Sequence, residues 1–359
     1  WELQLIPNVG QHSGEVFVYK DKKYDKLFTR TLGWNGGIGV QSTSLSDGNV
    51  LWAFNDSYFG VVDAETRARG NCNFPHNSIM IQTTVGGSLG ETDDDLRWLV
   101  DYIQTNDPDG EGYYQAYTHI APDETIMEET DEEHFYQIGG ATIFDNNGVK
   151  ELQMLWGEID NHEGKMTRTG TCLAVYSLEG QPGNSTYLKR ISKNEEFNTD
   201  DVGSTIWKDE DGHIYLYVTE NNRPLVARTT THDLTSEWEY YIRDLSGNFM
   251  WQKMYPTKEE RTRSTIMENN YVCSMPQIFK KGDYYYMIGQ AVSYGHSVYL
   301  YRGETPYGPF TDQKILFNVP YSVDKIGNQY YKNLLRVNLH LELAREGELV
   351  FSTNTDADT

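Results

Sequence analysis

One theme recurs five times along this chain: a short strand, a turn carrying Asp-Gly or a similar glycine pair, then an aromatic or aliphatic strand. It falls at residues 40–55, 141–157, 204–219, 277–289 and 338–354. Asp-Gly supplies the positive φ angles that a tight hairpin needs. No convincing long amphipathic helix interrupts the rhythm. Repetition of one hairpin unit points to radial or solenoid architecture. Five four-stranded units account for 359 residues. The expected fold is therefore all-β: a five-bladed β-propeller forming a single domain over residues 1–359. A multi-sheet sandwich is the alternative. The last strand, or residues 16–19 near the start, would complete the first blade and close the ring.

The first hairpin carries the most information. Gly36, Gly37 and Gly39 read as a tight turn leading into a strand at 40–45. After the turn at 46–49, Val50, Leu51, Trp52, Ala53 and Phe54 are nearly continuous apolar residues, as in a strand covered on both faces. The strand ends on Asn55-Asp56-Ser57. A carboxylate there pays a desolvation cost unless it has partners, so Asp56 is the first acid to suspect of chemistry. Its other reading is a turn cap. A third short strand is expected at 77–84. Residues 86–133 differ: they are acidic, with Thr92-Asp93-Asp94-Asp95 and a further acidic run at 123–133. They read as a long loop insertion, a solvated face rather than a calcium cage, able to wall one side of a cleft.

The formal net charge of −23 leaves no basic stripe to neutralise phosphates, and excludes nucleic acid and anionic lipid as expected partners. It suits a neutral carbohydrate, and the 26 tyrosines and 8 tryptophans include side chains able to stack on sugar rings. Cys72, Cys172 and Cys273 lie too far apart in sequence for a metal knuckle or a disulfide framework, and at most one pair could form. No Ser-His-Asp order, phosphate-binding loop or zinc spacing stands out. No stretch approaches the length of a membrane helix. The abrupt start at Trp1 reads as a trimmed mature form, expected to be a monomer that is secreted, periplasmic or at the bacterial cell surface.

The residues Leu27-Phe28-Thr29-Arg30-Thr31, Gly36-Gly37-x-Gly39, Asp47-Gly48-x-x-Leu51-Trp52-x-Phe54-x-Asp56-Ser57 and Asn77-Ser78-x-x-x-Gln82 resemble a family of secreted five-bladed bacterial propellers, some of whose members resemble endo-D-arabinanases. More distantly the plan is similar to arabinanase and furanosidase propeller hydrolases. Generic echoes continue through Gly203-Ser204-Thr205, Asp211-Gly212-His213, Tyr307-Gly308-Pro309-Phe310 and Asn338-Leu339-His340-x-Glu342-Leu343. The resemblance implies a glycoside hydrolase acting on a furanosidic, arabinan-like glycan. It requires no cofactor and leaves room for a structural calcium or other cation. In these relatives the glycine turn reads Gly-Gly-Asp-Gly; here Ile38 stands in place of that acid. Gly139-Gly140-Ala141 departs in the same way, so the catalytic assignment carries over to Asp56 alone.

Hydrolysis of a glycoside takes two carboxyl groups. In a propeller the inner strands converge on one axis, so acids at matching positions can meet across the mouth. Glu158 and Glu220 follow strands much as Asp56 ends one, and either could replace the missing acid. Glu342 lies near the last hairpin. The candidates for substrate contact are Trp34, Ile38, His76, Asn77, His296, His340 and Glu342. The plainer readings are core packing for Trp34, a hydrogen-bonded core histidine for His340, a turn for His76-Asn77 and solvated loops for the acids. A non-catalytic glycan-binding propeller is the alternative to the hydrolase, and a protein-interaction propeller a third class.

Overall fold

The hairpin of residues 40–55 forms: Gln41–Ser44 pairs antiparallel with Val50–Phe54, and every residue of the second strand is buried. The computed structural model describes residues 3–5, 16–99, 102–106, 112–116, 118–122, 133–179, 188–198, 203–290, 292, 295–319, 325–326, 329–330 and 333–356. Ser78–Gln82 and Leu96–Trp98 complete the first sheet. The second sheet is His134–Asn146, Val149–His162, Lys165–Ser177 and Lys189–Asn198, each strand pairing with the next. The third runs Thr205–Lys208, Ile214–Glu220, Arg223–Thr229, Trp238–Arg243 and Phe249–Gln252. The fourth runs Ser274–Lys281, Tyr284–Gln290, Ser297–Gly303 and Thr311–Asn318. Asn333–Leu339 pairs with Phe351–Asp356 as the last described sheet.

The first strands of successive sheets are neighbours, and the 3₁₀ turn Leu341–Leu343 after the last of them packs back on Gln41–Ser44. Gln41, Ala141, Thr205, Gln277 and Leu339, one from each of these strands, line a single cavity of about 120 Å³. This arrangement is a β-propeller. Strand alternation builds the core between the sheets. Met154 and Trp156 point toward Leu51 and Ile79 of the first sheet, whereas Leu155 points the other way, toward Leu216 and Trp238 of the third. Tyr215 and Tyr217 meet Ile278 and Met287, and Ile288 and Val298 meet Val337 and Leu339.

Several expectations need correction. Gly36 and Gly37 are not a turn but the end of the strand Leu32–Gly37, which pairs with Ser57–Val62 in a separate side sheet. The reason is the backbone ladder, which carries on through both glycines: Gly36 is in register with Tyr58 and Gly37 with Ser57. Gly39, at φ +64, makes the turn. Residues 86–133 are not one acidic loop. Leu96–Trp98 is an outer strand of the first sheet, with Leu96 buried and Trp98 stacked 5.1 Å from Trp34. Tyr102–Asn106 and Gly112–Ala116 form a hairpin on the side sheet. The Asp93–Asp95 run is a 3₁₀ turn closed by a Thr92/Asp95 capping box. Most of the acidic run at 123–133 lies outside the described residues. Near the start, the strand is Tyr19–Asp21, paired with Leu3–Leu5, and the charged connection after it is the helix Lys22–Phe28, capped by Asp21. The three cysteines are all free. Among the described residues no helix is long and apolar enough to cross a membrane.

Candidate active site

Strand register decides which acids can meet. Gln41, Ala141 and Thr205 line the axial cavity, and their paired residues are Ala53, Met154 and Tyr217. Asp56, Glu158 and Glu220 follow those partners by three, four and three residues. Second strands run antiparallel to first strands. All three acids therefore stand at one level, on the face of the propeller where the first strands begin.

Asp56 accepts a hydrogen bond or ion pair from His76 Nδ1 at 2.9 Å, with the two side chains only 14% and 11% exposed. The His76 ring lies flat on Phe135, 3.9 Å between centroids at 9°, and its backbone N–H donates to the Thr118 hydroxyl at 3.1 Å. His76 Nε2 is buried with no partner among the described residues. The backbone of Ile38 brackets the acid: its N–H donates to Asp56 O, and its carbonyl accepts from Asn55 N. Glu158 is half-buried and sits in register with Tyr136. Burial, then the Cys172 thiol and the carboxylates of Glu195 and Glu158, hold the Tyr136 phenol far above its ordinary range. Asn77 joins the two sides. Fully buried, its amide donates to Ile120 O and Tyr136 O at 2.9 Å and accepts from Ile120 N. Asn77 is thus a clamp between sheets, and no surface is left for substrate.

Glu220 is engaged by Arg261 Nε at 2.7 Å, from the helix Lys258–Arg263. Trp34 is 4% exposed, packed among Phe28, Phe54 and Trp98; it is core, not a stacking platform. His340 is also core. Its Nδ1 meets Ser42 Oγ at 2.5 Å, its Nε2 meets Ser352 Oγ at 2.8 Å, and burial pushes it down to about 3. The clamp ties the last sheet to the first. Glu342 lines the axial cavity, one Oε1 atom buried without a partner among the described residues, and burial pushes its carboxyl up to about 7. Its place after the first strand of its sheet puts it at the far end from Asp56. His296 is held by Val319 O at 2.9 Å, and neighbouring Tyr294 lies outside the described residues. Among the described residues no group of three or more His, Cys, Asp or Glu side chains could hold a metal ion.

Sequence reasoning passed over two residues at this level. Asn55 precedes Asp56, and its Oδ1 accepts from Ile138 N at 2.7 Å. Arg336 interrupts the otherwise apolar and neutral strand Asn333–Leu339, and that lone charge was the available signal.

The comparisons with known proteins place the chain in context. It is 53% identical to a Bacteroides ovatus protein whose crystal structure is named "putative hydrolase", with a TM-score of 0.92 over 100% of this chain and 89% of that one. A GH43 β-1,3-galactosidase solved with galactodeoxynojirimycin is 12% identical, with a TM-score of 0.45 over 98% and 90%. An exo-β-1,3-galactanase from Phanerochaete chrysosporium is 12% identical, with a TM-score of 0.43 over 86% and 59%. Likeness as distant as these last two carries no argument about chemistry. No curated protein matches. The model of the family described as domain of unknown function DUF5005 matches residues 21–359, and the chain belongs to that family.

Proposed function

We propose that the protein is a glycoside hydrolase acting on a carbohydrate polymer or oligosaccharide, with Asp56 and Glu158 as its two carboxyl groups. The observation that carries this reading is the Asp56–His76 pair: a carboxylate fixed by an imidazole at the mouth of the propeller, level with Glu158 across adjoining sheets. One carboxylate acts on water or the anomeric carbon while the other group, as an acid, protonates the leaving oxygen. Asp56 suits the first role because His76 fixes its orientation. Glu158 suits the second because Glu220 is committed to Arg261. The name given to the Bacteroides ovatus relative agrees with the reading. An arabinan-like furanosidic substrate rests on the sequence resemblance, as does a secreted or cell-surface monomer.

One observation favours the second reading, a glycan-binding propeller without turnover. Ile38, which stands where the resemblance implies an acid, is the residue whose backbone brackets Asp56. The deciding experiment presents wild type and Asp56→Asn with plant, fungal and mycobacterial-type polysaccharides and follows released sugars by chromatography. Release by wild type and silence of the variant supports the hydrolase. Retardation on a glycan gel with no release supports the binder. Neither release nor retardation on any polymer defeats both.

A further inference from the structure

Two hydrogen-bond donors converge over Gly39. A Cβ built on Gly39 would lie 2.4 Å from Asn55 Nδ2 and 2.8 Å from Arg336 Nη1. The orientation of the Asn55 amide is fixed, because its Oδ1 accepts from Ile138 N, so it is the NH₂ end that faces this space. Among the described residues the Asn55 NH₂ has no acceptor. Among the described residues the Arg336 guanidinium makes one hydrogen bond, from Nε to the Met275 sulfur at 2.9 Å, and no ion pair.

Arg336 is half-buried, and desolvation together with nearby Arg168 holds it down at about 10. Two residues further on the same strand face, Asn338 is 1% exposed with both amide atoms lacking a protein partner among the described residues. A guanidinium without a carboxylate is costly inside a protein. Proteins keep such groups where a ligand supplies the missing charge, and the planar fork of arginine matches a carboxylate.

We propose that Arg336 and Asn55 form a subsite for an anionic substituent, the carboxylate of an acidic sugar, beside Asp56. The substrate is then a glycan with sparse acidic residues among neutral ones. A densely charged polymer is repelled by the net charge of −23. The proposal rests on the carbohydrate reading of the same mouth and adds the charge of the sugar to it.

The test is thermal unfolding of the whole protein with D-glucuronate, D-galacturonate, D-glucose, D-galactose or sodium sulfate at matched ionic strength. Uronates at saturating concentration are expected to raise Tm by about 2 °C and neutral sugars by less. Arg336→Met is expected to abolish the shift, while its own Tm equals or exceeds that of wild type because a half-buried cation without an ion pair among the described residues has been removed. Equal shifts with neutral sugars and uronates, lost or not in the variant, overturn the anionic subsite and leave the carbohydrate reading standing. A shift with sulfate but with no sugar keeps the anion site and counts against carbohydrate. No shift with any probe, or an Arg336→Met protein much less stable than wild type, overturns the proposal.

Discussion

At the level of single residues, the three matched acids have different environments, and rates should separate them. Asp56→Asn is expected to lose nearly all glycan hydrolysis. Glu158→Gln should lose at least about a hundredfold, within the usual range of about 10²- to 10⁴-fold for removing a general acid or base. Glu220→Gln should behave otherwise. It breaks the bond to Arg261, so Tm should fall while kcat/KM stays within about tenfold of wild type, well short of that range. Initial rates and melting curves on the three variants check this, and a Glu220→Gln rate loss matching that of Glu158→Gln would reverse the assignment. Asp56 was legible in the sequence because an acid two positions past five apolar strand residues must find a partner. That the partner is His76 was not, because the two are joined by the pairing of Val50–Phe54 with Ser78–Gln82 and not by any spacing.

At the level of elements, the turn that follows Asn333–Leu339 carries two titrating groups of opposite sense, His340 buried and Glu342 half-buried. Glu342 has a folded value of about 7 against an ordinary 4.5. Its stabilising contribution is therefore full below about pH 4.5 and is lost as pH rises through about 7. His340 is depressed from 6.5 to about 3, so its contribution is present above about pH 6.5 and is lost as pH falls toward 3. Glu342→Gln should then remove a fall in Tm between about pH 5 and pH 8, and differential scanning calorimetry across that interval reads the outcome directly. A variant whose Tm falls as steeply as that of wild type would show that another group titrates. Hairpins were readable from turn chemistry and apolar runs. The strand Leu96–Trp98 was not, because its neighbours in sequence are acidic and its apolar residues are only two, Leu96 and Trp98. Their burial against Trp34 and Phe59 outweighs local composition.

For the whole molecule, closure depends on contacts between the last sheet and the first. His340 bridges Ser42 and Ser352, and Asn354 Nδ2 donates to Gly37 O at 2.7 Å. Ser42→Ala would leave a fully buried imidazole nitrogen unpaired, at a cost of about 1–3 kcal/mol. The expected result is a lower Tm, measured together with faster proteolysis of the C-terminal strand; an unchanged Tm would mean that the clasp contributes nothing. The overall charge of −23 predicts no measurable retention on DNA or heparin at physiological salt. Salt-sensitive retention on either column would contradict it.

The sequence by itself determined the first four hairpins, the wholly buried strand Val50–Phe54, the suspicion on Asp56 and the net charge of −23; the fifth pair is Asn333–Leu339 with Phe351–Asp356, with a 3₁₀ turn at Leu341–Leu343 where a strand was expected. These are local or summed properties: turn residues, apolar runs and net charge act through near neighbours or through the whole surface. Tertiary structure alone decided that Trp34 and His340 belong to the core, that Glu220 is taken by Arg261, and that Asn55 and Arg336 meet over Gly39. The last of these joins residues almost 300 positions apart. Only sheets closing around a common axis bring such residues together, because each first strand faces its two neighbours in the ring as well as its own hairpin partner.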